Sequence, residues 1–154
     1  MIEVSKTIST TAPLAKVMEW FMHFDEHYVE MWPEAHKEYQ RISEGPPIVG
    51  ATFRFVQEVK GRERAITGVI TKMELAGFEW RMKPVALMGG GYRFRPLDDG
   101  GTEITQTILY GPAWPVLGVF VTWVMQRLIM SRGTLAEFVE EEMAKLKQAL
   151  EAGG

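Results

Sequence analysis

The amino-acid sequence predicts an α+β fold in which a curved antiparallel β-sheet wraps around a long C-terminal helix. Residues 39–109 alternate apolar and polar side chains in short runs, which turn residues such as those at 98–101 separate. Residues 135–150 carry apolar side chains at helical spacing. A sheet with one apolar face needs a cover, and this terminal helix is the apolar element long enough to provide it.

The N-terminal part predicts a strand followed by two helices. Residues 2–10 alternate in the manner of a half-buried strand. Pro13 suits the first turn of a helix, and apolar residues then follow at spacings of three and four over 14–24. Pro33 predicts the start of a second short helix that contains His36.

The central part predicts a meander of five or six strands. Its candidate strands are residues 39–44, 52–60, 64–75, 78–84, 91–95 and 103–109. The element order is therefore β-α-α-β(5–6)-α, and residues 1–154 are expected to form a single domain.

Composition excludes several classes of function. The net charge of −3, with lysine and arginine scattered, gives no electrostatic basis for binding nucleic acid. The absence of cysteine excludes disulfides, a thiolate nucleophile and cysteine-containing zinc sites. The first ten residues alternate instead of forming an apolar signal core, which predicts a cytoplasmic protein.

The apolar segment 112–130 has two interpretations. It approaches the length of a membrane span, but Gln126 and Arg127 interrupt it, so we expect no integral membrane span. The favoured interpretation is a buried or partner-facing helix. Trp114, Val119 and Trp123 are then candidates for a homodimer contact.

The sheet and helix are expected to enclose a cavity for a small apolar ligand. The expected wall residues are aromatic: Trp20, Phe24, Trp32, Phe53, Phe55, Trp80 and Tyr92. Tyr28, His36 and Glu58 are the expected polar anchors. The run Glu140–Glu142 is interpreted as a solvated helix face.

Histidines are the candidate nitrogen ligands for a metal. His23 and His27 lie four residues apart and would share one face of a continuous helix, where both could bind one ion. The alternative is that they are ordinary polar residues.

The element order, the opening IEVSKTISTTAP-LAKVMEWF, the strand GATFRF and the long terminal helix together resemble the START/Bet v 1-like superfamily of polyketide cyclases and lipid-transfer proteins. The resemblance covers nearly the whole chain. It implies a helix-grip fold with a hydrophobic cavity, and it says little about chemistry.

A more specific resemblance concerns the segment Tyr28-x3-Trp32-Pro33-x2-His36, which is similar to a segment of the diacetylphloroglucinol/phloretin hydrolases. Those enzymes cleave a carbon–carbon bond between an acyl group and a phenolic ring with the help of zinc. The resemblance implies catalytic roles for Tyr28 and His36.

The same resemblance implies a metal site for zinc or another divalent metal, with His36, Glu58 and Glu137 as ligands. Gly133 stands where that family has a further histidine, so one ligand is missing. His23 or His27 would have to replace it. Without a metal, the three residues would form an ion-paired histidine. The sequence thus leaves three functions open: binding of a small hydrophobic or phenolic molecule, which we favour; metal-dependent hydrolysis of an acylated phenol; or an interaction protein whose apolar segment 112–130 docks on a partner or a membrane surface.

Overall fold

The computed structural model describes residues 1–84, 87–112, 117–128 and 130–153, with no description of the Leu128 side chain. Within these ranges lie seven strands: β1 (Ile2–Thr10), β2 (His36–Arg41), β3 (Thr52–Val59), β4 (Arg62–Glu74), β5 (Gly77–Met82), β6 (Met88–Pro96) and β7 (Thr102–Tyr110). The helices there are α1 (Leu14–Met22), α2 (Phe24–Met31), α3 (Leu117–Leu128) and α4 (Arg132–Ala152).

The strands form one antiparallel sheet in the order β1-β7-β6-β5-β4-β3-β2. Strands β2 to β7 pair with their neighbours in sequence, as hairpin connections require. Helices α1 and α2 carry the chain from β1 at one edge to β2 at the other. The last strand, β7, pairs back with β1, so that Ile2 lies opposite Tyr110 and Thr10 opposite Thr102.

Helix α4 covers the apolar face of the sheet. Ser131 caps its N-terminus, because the Ser131 side chain accepts a hydrogen bond of 3.1 Å from the Thr134 amide. Its buried side chains are Leu135, Phe138, Val139, Glu142, Met143, Leu146 and Leu150. The predicted α+β class and the sheet wrapped around a long C-terminal helix are confirmed.

The predicted helix at Pro33 is wrong. The Trp32 carbonyl accepts hydrogen bonds from the amides of Ala35 and His36, at 3.0 and 2.7 Å, which makes a turn. The Ala35 carbonyl then accepts from the Glu58 amide at 2.7 Å, and His36 begins β2. Pairing with β3 therefore replaces helix formation at this point.

Helix α3 contains the part of the apolar segment that the structure describes as helical. Val119, Phe120 and Trp123 are each more than half exposed. Trp114 lies outside the described residues, and the homodimer contact at Val119 and Trp123 stays a prediction. Among the described residues, no helix is both long and apolar enough to cross a membrane.

Candidate functional site

A cavity of about 140 Å³ lies between the sheet and helices α1, α2 and α4. Every strand except β1 contributes to its wall, and most of the wall is aromatic or aliphatic. The side chains on the strands include Tyr39, Phe53, Phe55, Ile70, Phe78, Trp80, Met88, Tyr92, Phe94 and Ile108, and those on the helices include Met18, Phe21, Phe24, Tyr28, Leu135 and Phe138. A volume of this size is comparable to engineered cavities that hold benzene, so it accommodates about one ring.

Five of the seven aromatic residues predicted from the sequence line this cavity. They are Phe24, Phe53, Phe55, Trp80 and Tyr92. The alternation within β3 explains the inward direction of its two phenylalanines, because residues two apart share one face of a strand.

Trp20 and Trp32 lie outside the cavity wall. The Trp20 ring stacks on the imidazole of His27, with 5.2 Å between ring centroids. Trp32 is buried in the core, where its ring lies 4.9 Å from that of Phe138. Both residues support the wall from behind, since Trp20 also contacts Phe24, a wall residue.

The wall also has a polar side, formed by Tyr28, Gln57, Tyr92, Gln106 and Glu142, all of which are buried. The Gln106 amide nitrogen donates to the Tyr92 hydroxyl at 2.9 Å and to the Glu142 carboxylate at 2.7 Å. This direction fixes the amide orientation, because the opposite orientation would place two acceptor oxygens together. The Tyr28 hydroxyl donates a long bond of 3.4 Å to the Gln57 side-chain oxygen.

His36 lies directly behind this polar side and is fully buried. Its Nδ1 donates to the Tyr28 carbonyl at 2.7 Å, since a carbonyl can only accept. Its Nε2 lies 3.2 Å from a carboxylate oxygen of Glu142. That contact is close enough for an ion pair but is not aligned as a hydrogen bond. The imidazole also stacks on the Tyr28 ring, with 3.8 Å between centroids.

Burial governs the ionisation of the two tyrosines in the wall. It raises the pKa of Tyr28 and the pKa of Tyr92 well above the ordinary value, and the nearby charge of Glu142 adds to both effects. Both hydroxyls therefore remain protonated at neutral pH. They can donate hydrogen bonds but cannot act as bases.

The structure does not bring the predicted metal ligands together. The Glu58 carboxylate lies 3.5 Å from the Lys37 ammonium. The Glu137 carboxylate lies 3.5 Å from the Lys60 ammonium, and 73% of the Glu137 side chain is exposed. Gln57 faces the cavity, so its neighbour Glu58 points to the opposite face of β3. In the described parts of the chain, no group of histidine and carboxylate side chains could hold a metal ion.

The two other histidines do not supply a missing ligand. His23 lies between α1 and α2, not inside one continuous helix, and its imidazole contacts the Glu26 carboxylate at 3.3 Å on the surface. His27 stacks on Trp20. His23 and His27 therefore do not share one face of a continuous helix, although they are four residues apart.

Glu142 is the site residue that the sequence interpretation missed, because it was assigned with Glu140 and Glu141 to a solvated face. Glu142 is in fact only 6% exposed. A signal was present: Glu142 lies four residues after Phe138 and four before Leu146, on the apolar stripe of α4. Gln106 was missed as well, and the alternation of β7 places it on the same face as the buried Ile104.

Solved structures with similar folds include an aromatase/cyclase, Zhui, from Streptomyces sp. R1128, with 20% identity, a TM-score of 0.68 and coverage of 97% of this chain and 90% of that chain. The ginseng major latex-like protein 151 from Panax ginseng is similar with 9% identity, a TM-score of 0.73 and 96% coverage of both chains. A protein of Thermus thermophilus has 16% identity, a TM-score of 0.71 and 99% coverage of both chains.

These likenesses show a common fold. A comparison with curated protein sequences gives no significant match. The family model described as polyketide cyclase / dehydrase and lipid transport matches residues 1–151. The chain therefore belongs to the polyketide cyclase / dehydrase and lipid transport family.

Proposed function

We propose that the protein binds a small hydrophobic molecule with one aromatic or alicyclic ring, bearing a phenolic or similar oxygen, in the cavity between the sheet and α4. The observation that carries this proposal is the cavity itself: its wall is largely aromatic, and its buried polar side chains are hydrogen-bonded to one another, Tyr28 to Gln57 and Tyr92 and Glu142 to Gln106. This combination is typical of sites for small ligands.

The polar side supports an oxygen-bearing ligand over a plain hydrocarbon. The Tyr92 hydroxyl accepts a hydrogen bond from Gln106, which leaves the hydroxyl hydrogen free to reach a ligand oxygen. The Glu142 carboxylate is an acceptor for a ligand hydroxyl. One additional hydrogen bond of ordinary strength corresponds to about a tenfold gain in affinity.

The alternative, metal-dependent hydrolysis of an acylated phenol, lacks support from the side-chain positions. It requires Glu58 and Glu137 to join His36 at one ion, whereas both carboxylates are partly or largely exposed and paired with lysines. The family match adds no support for that particular branch, so ligand binding is the better-supported function.

Calorimetric titration with phenol, para-cresol and toluene tests the proposal. We expect saturable binding of all three, with para-cresol about tenfold tighter than toluene because only the cresol offers a hydroxyl to the polar side.

A variant that fills the cavity supplies the control for location. Ile108 lines the cavity, so Ile108→Trp should abolish binding, whereas Ile42→Trp, at a half-exposed position outside the wall, should leave it unchanged. Binding that survives Ile108→Trp in a folded protein would place the ligand elsewhere. Failure of the wild-type protein to bind a broad panel of one-ring compounds would overturn the proposal.

A further inference from the structure

Glu142 is a buried carboxylate in the wall of a largely apolar cavity. It lies in the middle of α4, and its partners are the Gln106 amide on one oxygen and the His36 imidazole near the other. A carboxylate excluded from water interacts more strongly with a bound ligand than an exposed one, because the local dielectric constant is low.

His36 gives this carboxylate a buried polar neighbour. Its Nδ1 donates to the Tyr28 carbonyl, so Nε2 is the ring nitrogen that faces the Glu142 carboxylate, at 3.2 Å. His36 therefore supports the position of Glu142 from directly behind the cavity wall.

Tyr92 places a hydrogen-bond donor beside the same carboxylate. The Tyr92 hydroxyl and the Glu142 carboxylate both accept from a single nitrogen of Gln106, which holds the two groups close together. The groups around Glu142 are thus Tyr28 from α2, His36 from β2, Tyr92 from β6 and Gln106 from β7. Among these four, only His36 can carry a positive charge.

We propose that Glu142 and Tyr92 form an acid–base site that catalyses enolisation of a small cyclic ketone bound in the cavity. This inference rests on the proposed ligand binding. A carbonyl substrate of one ring fits the cavity volume of about 140 Å³, with its oxygen toward Tyr92 and an adjacent carbon toward Glu142.

The chemical step is a proton transfer. The Glu142 carboxylate removes a proton from the carbon next to the carbonyl, and the electron pair of the broken C–H bond forms the carbon–carbon double bond of the enolate. The carbonyl π electrons move to oxygen, where the Tyr92 hydroxyl donates a hydrogen bond to the developing oxyanion. The Glu142 carboxyl group then exchanges this proton with solvent and gives a solvent-derived proton back to carbon, which completes the cycle and delivers deuterium when the solvent is D₂O. His36 acts through Glu142 as a positioning residue.

The experiment measures deuterium incorporation into cyclohexanone. The full-length protein in D₂O is incubated with the ketone, loss of the α-proton signal is followed by NMR, and binding is measured on the same samples by saturation transfer. We expect exchange above the buffer rate, and we expect Glu142→Gln to reduce the protein-dependent rate by about 100-fold or more while cyclohexanone still binds. Tyr92→Phe should reduce that rate about 100-fold or more.

Two further variants separate catalysis from structure. Glu141→Gln changes the neighbouring, exposed carboxylate of the same helix and should leave the exchange rate unchanged. His36→Asn can still donate to the Tyr28 carbonyl but removes the imidazole that faces Glu142. It should lower the exchange rate at saturating cyclohexanone without changing the affinity for cyclohexanone.

The outcomes distinguish this inference from the proposed function. Binding of cyclohexanone without exchange above the buffer rate overturns the acid–base site and leaves ligand binding intact. Exchange that persists in a folded Glu142→Gln variant overturns the role of Glu142. Absence of binding to cyclohexanone and to every phenol tested overturns the proposed function itself.

Discussion

Removal of His36 is expected to destabilise the protein far more than removal of His36 and Glu142 together. His36 is fully buried and the Glu142 side chain is 8% exposed, so neither group is well solvated. At 3.2 Å, an ion pair gains about 5 kcal/mol of Coulomb energy at an effective dielectric constant near 20. Desolvation costs several kcal/mol for each ion, so the intact pair contributes little in net terms.

The single and double variants therefore differ in a predictable way. His36→Leu leaves a buried carboxylate without its partner, which should lower the free energy of unfolding by about 3–5 kcal/mol. Glu142→Met leaves the His36 imidazole with an unpaired nitrogen, for a loss of about 1–3 kcal/mol. The double variant replaces both groups by apolar side chains and should unfold with a free energy close to wild type, or higher by about 1–4 kcal/mol.

Wild type, the two single variants and the double variant form a double-mutant cycle. Urea unfolding at neutral pH, followed by circular dichroism, measures the free energy of unfolding of each of these four proteins. A matched cycle on the exposed pair of Lys60 and Glu137 is the control, for which we expect a coupling energy of no more than about 1 kcal/mol. A coupling energy for His36 and Glu142 as small as that of the surface pair would refute the description of a buried ion pair.

Three further predictions follow from burial. Burial raises the pKa of all four tyrosines, and it raises the pKa of Tyr39 to about 12. Ultraviolet titration should therefore detect tyrosinate at lower pH in guanidinium than in the native protein. Because the unfolded state loses these protons first, the free energy of unfolding should fall as pH rises from about 10 to 12. Glu58→Gln and Glu137→Gln should each change the free energy of unfolding by less than about 1 kcal/mol. A chelator should leave the melting temperature unchanged. A metal site would instead give a large loss of unfolding free energy in the variants and a large drop in melting temperature with the chelator. Leu146→Ala removes a side chain that is 1% exposed, so denaturant unfolding should show a loss of about 2–5 kcal/mol, and a smaller loss would mean that α4 packs loosely on the sheet.

The fold was predictable because burial of one sheet face imposes a period of two on much of the sheet, as in β1 and β7. Residues 52–60 and 103–109 were expected as strands, and the structure places β3 and β7 within one residue of those limits. The helix expected at Pro33 failed for a physical reason: a hydrogen bond between Ala35 and Glu58, distant in sequence, decides the local conformation, and no local pattern reports it.

The candidate site was predictable only in its apolar part. Phe53 and Phe55 could be placed on the inner face from alternation alone. The same alternation places Glu58 on the outer face of β3, so spacing relative to a family motif was a weaker guide than strand periodicity. The burial of Glu142 was not predicted because Glu142 follows two other glutamates. A run of three glutamates indicates solvent exposure unless the helical position of each residue is considered separately.

A one-ring ligand is proposed to bind inside the cavity, against its aromatic wall. Intermolecular nuclear Overhauser effects from bound para-cresol to protein methyl groups test it most directly. We expect contacts to the methyl groups of Ile70, Ile108 and Leu135, which line the cavity, and none to those of the exposed Val119 on α3. Contacts to Val119 in place of the three cavity residues would contradict it.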